Sequence, residues 1–136
     1  MGVARAKALD IVGRDHSAKD DILLIVSELV ANAVVHADKG RPGALIRLRL
    51  ATTKDLLIVE VHDPGSLVGA PRIKENQDVY ADGGRGLYLV SLICEGRWGT
   101  SLLAGGRGRL VWAALPQTDR APSAYEVIAA RRRTAA

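Results

Sequence analysis

The stretch Glu28-Leu29-Val30-Ala31-Asn32-Ala33-Val34-Val35-His36-Ala37 sets three polar side chains, Glu28, Asn32 and His36, four residues apart in an otherwise apolar run. Successive residues of a helix turn by about 100°, so positions four apart share one face. Around a helix over Ser17–Ala37, Ile22, Ile25, Val26, Leu29, Val30, Ala33 and Val34 cover one side. Leu24, Ala31 and Val35 fill a second sector, so most of the circumference is suited to burial. The polar three then form a narrow stripe flanked by apolar surface. Burying a carboxylate and an amide costs on the order of several kcal/mol unless each finds a partner. Either the stripe faces solvent or a polar ligand or metal lies along it, and the helix by itself leaves both open.

Outward from this helix, the pattern predicts a helix over Val3–Gly13, with Ser17 as N-cap of the long helix and Asp20 three residues on. Gly40 and Pro42 stop the long helix. Ala44–Ala51 alternates, with Ile46, Leu48 and Leu50 on one face and Arg47 and Arg49 on the other, which predicts a half-buried strand. A turn at Thr52–Asp55 and a strand over Leu56–His62 complete a hairpin. Leu67–Asp82 lacks periodicity and reads as a loop. Gly83-Gly84-Arg85-Gly86 opens onto a helix over Leu87–Cys94, and Arg97–Leu103 and Arg109–Leu115 read as two further strands. Ser123 to Glu126 caps a short terminal helix or begins a disordered end. Helices followed by antiparallel strands predict an α+β fold, a two-layer sandwich with helices on one face of a mixed, mostly antiparallel sheet. The expected organisation is a domain over 1–116 and a tail over 117–136.

The whole chain has 136 residues, 48% hydrophobic and 25% charged, which suits one small globular domain. No apolar run approaches the roughly 20 residues that span a bilayer, and no export signal is visible at the N-terminus. Cys94 is the one cysteine and is expected to pack as a small hydrophobe; a reducing cytoplasm fits this usage. The net charge of +4 is spread along the chain except at Arg131-Arg132-Arg133, read as a solvated tail. With no stacking aromatics beside it, that cluster gives little ground for direct nucleic-acid binding.

Two glycine motifs follow the helix. Asp63-Pro64-Gly65 ends a β-branched strand, where a carboxylate can accept from an exocyclic amine and glycine lets a flat ring approach. A plain turn has the same composition. Gly84-Arg85-Gly86-Leu87 at a helix start suits an anion, because free N–H groups and the helix dipole favour phosphate and Arg85 adds charge. It is neither a Walker A loop nor a dinucleotide fingerprint.

Taken in order, the three elements resemble the GHKL (Bergerat-fold) ATPase superfamily. Glu28 to Ala37 looks like its N box, Asp63-Pro64-Gly65 like its first glycine box, and Gly84-Arg85-Gly86-Leu87 like its second. The small size, together with the Arg97-Trp98-Gly99 and Val111-Trp112 segments, is similar to the stand-alone anti-sigma factor serine kinases of the RsbW type. The resemblance implies ATP and Mg²⁺ as cofactors, with Asn32 giving Mg²⁺ an oxygen and Glu28 acting as general base. It implies that Asp63 accepts from the adenine amino group, that Gly65 makes room for the ring, and that Gly84, Arg85, Gly86 and Leu87 bind the nucleotide's phosphate end. His36 either contacts the nucleotide or caps the helix. Leu67–Asp82 would be the lid. The implied partners are a sigma factor or an anti-anti-sigma (STAS-type) protein, and a homodimer is expected.

Three departures bear on turnover: Leu67 stands at the second glycine of the first box, the lid is short, and Gly106-Arg107-Gly108-Arg109 replaces a Lys-Thr or Gly-Thr pair near the phosphates. The function that the resemblance implies is a serine/threonine kinase that is also an anti-sigma factor. The alternative is a non-catalytic module of the same fold that binds nucleotide or protein.

Overall fold

Ile22, Ile25, Val26, Leu29 and Ala33, spaced three and four apart on one helix face, are all buried at 0–1% exposure. They place α2 (Lys19–His36) as the central helix of the core. The computed structural model of the chain describes residues 2–13, 15–36, 45–63, 84–102 and 108–135. Around α2 lie α1 (Gly2–Val12) and α3 (Gly84–Ile93), and beneath it a sheet of β1 (Arg47–Thr52), β2 (Leu56–Asp63), β3 (Trp98–Leu102) and β4 (Arg109–Pro116). The helix α4 (Ala124–Ala135) ends the chain.

The sheet order is β1-β2-β4-β3, and every pairing among the described strands is antiparallel. This is the expected α+β layering. Leu57, Val59 and Val61 of β2 and Val111, Ala113 and Leu115 of β4 point to the α2 side. Edge strand β1 keeps the alternation, with Leu48 and Leu50 packed against the core and Arg47 and Arg49 exposed. The period of two thus sets which face each residue takes.

The reverse face is also covered. Leu56, Trp112, Ala114 and Val127 form a second buried cluster, with Ala121, Ile58 and Ile128 packed on it. Cover on both faces explains why β2 reads almost continuously apolar. Gly99 stands opposite Trp112 on the neighbouring strand, and a Cβ there would lie 2.9 Å from the indole Nε1. The ring lies in that space, and the Arg131 guanidinium sits 4.6 Å over its centroid.

Arg131 also donates to buried Glu60, whose other oxygen lies 3.6 Å from Arg49. Arg131 is therefore part of the packing of α4, a correction to the reading of the three arginines as a solvated tail, while Arg132 and Arg133 are exposed. The Arg131→Ala variant should lose roughly 1–3 kcal/mol, the cost of removing one partner from a buried charged group. A urea unfolding curve monitored by tryptophan fluorescence checks this, and an unshifted midpoint would contradict it.

Two details differ from the sequence reading. The entry to α2 is made by His16, whose Nδ1 accepts from the N–H of Ala18 at 3.1 Å, and not by Ser17. Val34 and Val35 are 45% and 61% exposed, so the apolar girdle of α2 ends before its last turn. The sheet, α1 and α3 cover the helix over its middle turns, where the buried residues lie. Cys94 does pack as a small hydrophobe, and burial pushes its thiol up to about 12. Arg97 is buried beside it, donating from Nε to the Pro122 carbonyl at 2.6 Å and from Nη1 to the Cys94 carbonyl at 3.2 Å. That links the end of α3 to the segment leading into α4.

Candidate functional site

Because α2 carries Glu28 and Asn32 one turn apart, their side chains leave the helix on the same side. Glu28 meets α3: an added Cβ at Gly86 would lie 1.8 Å from Glu28 Oε2 and 2.7 Å from its carboxyl carbon. The absence of a side chain at Gly86 is what lets the half-buried carboxylate reach the first turn of that helix. In that turn backbone N–H groups lack intrahelical acceptors and the helix dipole is positive. A carboxylate is thus held beside a site suited to anions.

Asn32 meets the sheet. Its Oδ1 accepts from Nη2 of Arg109 at 2.5 Å, and Nε of the same guanidinium lies 3.3 Å from Asp63 Oδ2. Asp63 is the last residue of β2 and Arg109 the first of β4, and the two are register partners. Strand pairing therefore fixes where the two side chains start. The Asp63 side chain is 2% exposed and that of Arg109 17%, so the ion pair lies mostly out of water.

What Asn32 and Asp63 can bind is visible in the group they hold. Both present oxygen acceptors to N–H donors that carry positive charge. An exocyclic amine at Asp63 and a cation at Asn32 would draw on the same two side chains, so the acceptor set fits both. Among the described residues no three His, Cys, Asp or Glu side chains gather into a metal cage. Mg²⁺ usually takes only one or two protein oxygens and completes its shell with water and phosphate.

The remaining site candidates are placed unevenly. Gly84 opens α3, and Gly86 is buried in its first turn. Leu87 is half-buried against the main core. His36 ends α2 and Arg85 lies in α3, but the side chains of both are outside the described residues, as are Gly65 and the lid segment 67–82. Arg109 joins the candidate site through these contacts and is not among the residues that the sequence motifs point to. Its signal was present, since a charged residue stands at the head of the apolar run Leu110–Leu115 within the segment marked as a departure.

Over residues 2–95 the chain matches the histidine kinase-like ATPase domain family. The chain belongs to this family. As a histidine kinase-like ATPase domain it carries an implied nucleotide site, and Glu28, Asn32, Asp63 and Gly86 all lie within the matched span. Serine-protein kinase RsbW of Listeria monocytogenes serotype 4a (strain HCC23) is 28% identical over 92 residues, covering 61% of this chain and 59% of the relative. The protein of the same name from Listeria innocua serovar 6a gives the same identity and coverage, 28% over 61% of this chain and 59% of its own length. The histidine kinase domain of the blue-light activated histidine kinase from Erythrobacter litoralis EL346 superposes with a TM-score of 0.55 at 25% identity. That match covers 85% of this chain and 62% of the solved chain. The chain spans less than two thirds of the length of these relatives. No described helix of this ATPase domain is long and apolar enough to cross a membrane.

Proposed function

We propose that the chain is an ATP- and Mg²⁺-binding regulatory protein, an anti-sigma factor with serine/threonine kinase activity toward an anti-anti-sigma partner. One observation carries the reading: side chains from α2 and β2 and the first turn of α3 converge with the chemistry a nucleotide needs. The kinase reading is also supported by relatives named as serine-protein kinases.

Asn32 Oδ1 would be the protein oxygen on Mg²⁺, and Asp63 would accept from the adenine amino group. The first turn of α3, with Gly84, Arg85 and Gly86, would hold phosphate oxygens, and Gly65 and Leu87 would line the site. When bound, Mg²⁺ offsets the negative charge of the triphosphate and lowers the cost of bringing an alkoxide near it. Glu28 would take the proton from a partner's serine hydroxyl as its oxygen forms a bond to the γ-phosphorus and ADP leaves. His36, four residues beyond Asn32 in the sequence, either contacts the nucleotide or caps the helix in this reading. The catalytic unit is assigned to residues 1–116, with α4 of 117–136 packed on the reverse face of its sheet. A cytoplasmic setting and a homodimer go with the same reading.

The alternative, a non-catalytic module of the same fold, draws on the Arg109 guanidinium held against the very oxygens assigned to ligands. Calorimetric titration with Mg·ATP, paired with radiolabel transfer to anti-anti-sigma proteins, separates the two. The Asn32→Ala variant is expected to bind Mg·ATP about ten- to a hundredfold more weakly, the worth of one bond to a charged group. Unchanged affinity would remove Asn32 from the metal. Tight nucleotide binding without transfer to any partner would favour the module.

A further inference from the structure

Arg109 has two neighbours that a nucleotide would also need. Its Nη2 donates to Asn32 and its Nε to Asp63, so one planar fork spans the helix layer and the sheet layer. Arginine is suited to this because its donors lie in a fixed plane and its charge is permanent. Neither bond is an accident of a free surface side chain. The stem starts at a register position opposite Asp63, and the side chain is only 17% exposed.

We propose that Arg109 is a resident competitor for the nucleotide: its guanidinium holds Asn32 and Asp63 together, and it must leave Asn32 before that oxygen can serve a divalent cation. The inference rests on the nucleotide reading above. The electrostatics are direct. A guanidinium and a divalent cation cannot share one amide oxygen at hydrogen-bond distance in a partly dry site, because like charges at that range repel strongly. The site therefore has a self-paired state and an open state, and only the open one presents Asn32 to a metal. Binding affinity is reduced by the fraction of molecules that are open. A charge-assisted bond of ordinary strength makes that reduction about tenfold.

Asp63 differs from Asn32 in this exchange. A carboxylate has two oxygens and room for several donors. The Nε contact to Oδ2 can therefore remain while the carboxylate accepts from a further donor. Release from Asn32 alone is enough to open the metal side.

Two substitutions test this. Arg109→Lys keeps a positive charge for buried Asp63 but replaces the planar two-nitrogen fork with a single ammonium nitrogen. Arg109→Met keeps the apolar stem and removes the charge. Calorimetry with Mg·AMP-PNP should give about tenfold tighter binding for Arg109→Lys than for wild type. In the nucleotide-free protein, the Asn32 side-chain amide resonances should shift in both variants. Unchanged or weaker binding by Arg109→Lys, with wild type binding normally, would overturn the inference and leave the nucleotide reading standing. Binding by the variants but not by wild type would support it in its strongest form. If no protein of the set binds any adenine nucleotide, both readings fall together. Unmoved Asn32 amide resonances in a folded Arg109→Met protein would show that the bridge does not exist in solution.

Discussion

Glu28→Gln is expected to lower phosphoryl transfer by about 10²- to 10⁴-fold, the usual contribution of a positioned general base. Glutamine has nearly the same shape as glutamate, so the packing against Gly86 should persist and the fold should be unaffected. What is lost is the capacity to take a proton. Nucleotide affinity should change little, because no Glu28 contact is assigned to the bound ATP. The split matters, since a merely structural residue would move stability and binding together. Single-turnover transfer with a saturating partner reads the chemical step, and calorimetry with Mg·ATP reads binding. A Glu28→Gln protein that transfers phosphate at the wild-type rate would remove the base assignment. A variant with weakened binding and an unchanged single-turnover rate would instead place Glu28 on the nucleotide.

The layout of the main core was legible in the sequence because a helix and a half-buried edge strand each repeat a simple period. Residues at three and four spacing in α2 became its buried face, and Leu48 and Leu50 became the inward side of β1. Periodicity fails where burial is two-sided. Leu56 to Val61 gave no sign of which residues would meet α2 and which would meet α4, since both faces are covered. The docking of α4 was hidden for a related reason. Its helix is basic and weakly apolar, and it is held partly by a cation over an indole and a pair with Glu60, interactions with no local signature.

The candidate site was legible in a different way. Its four anchors, Glu28, Asn32, Asp63 and Gly86, lie in three separate segments, and none of the motifs is decisive alone. Sequence spacing put Glu28 and Asn32 on one side of a helix. Nothing in it put Gly86 against Glu28 or Arg109 between Asn32 and Asp63, because those are contacts between elements. As a motif Gly84-Arg85-Gly86 signals an anion cradle, and nothing in it signals the room that Gly86 leaves for the carboxylate. Arg109 was seen only as a departure from a pattern, since register across β2 and β4 is what brings it to Asp63.

The room left by glycine leads to an expected result with a large effect and an unusual sign on stability. Gly86→Ala should cost about 10²-fold in phosphoryl transfer while leaving the fold as stable as wild type or more so. Gly86 lies in the first turn, where alanine is favoured over glycine by less than the roughly 1 kcal/mol of a helix interior, so α3 itself still gains. The methyl group, however, would lie 1.8 Å from Glu28 Oε2 and 2.7 Å from its carboxyl carbon, closer than atoms can stand. Oε2 belongs to the far end of a flexible side chain, so the carboxylate gives way and the backbone stays. A displacement of about 1 Å at a reacting group can cost on the order of 10²-fold. If the loss runs through Glu28, it must disappear when Glu28 is already disabled. The double variant Glu28→Gln/Gly86→Ala should therefore transfer no more slowly than Glu28→Gln alone, a non-additivity that only contacting residues show. A double variant slower than Glu28→Gln by the full Gly86→Ala factor would mean that Gly86 acts on the nucleotide directly, through the N–H groups of the first turn of α3, and that its closeness to Glu28 has no part in the chemistry.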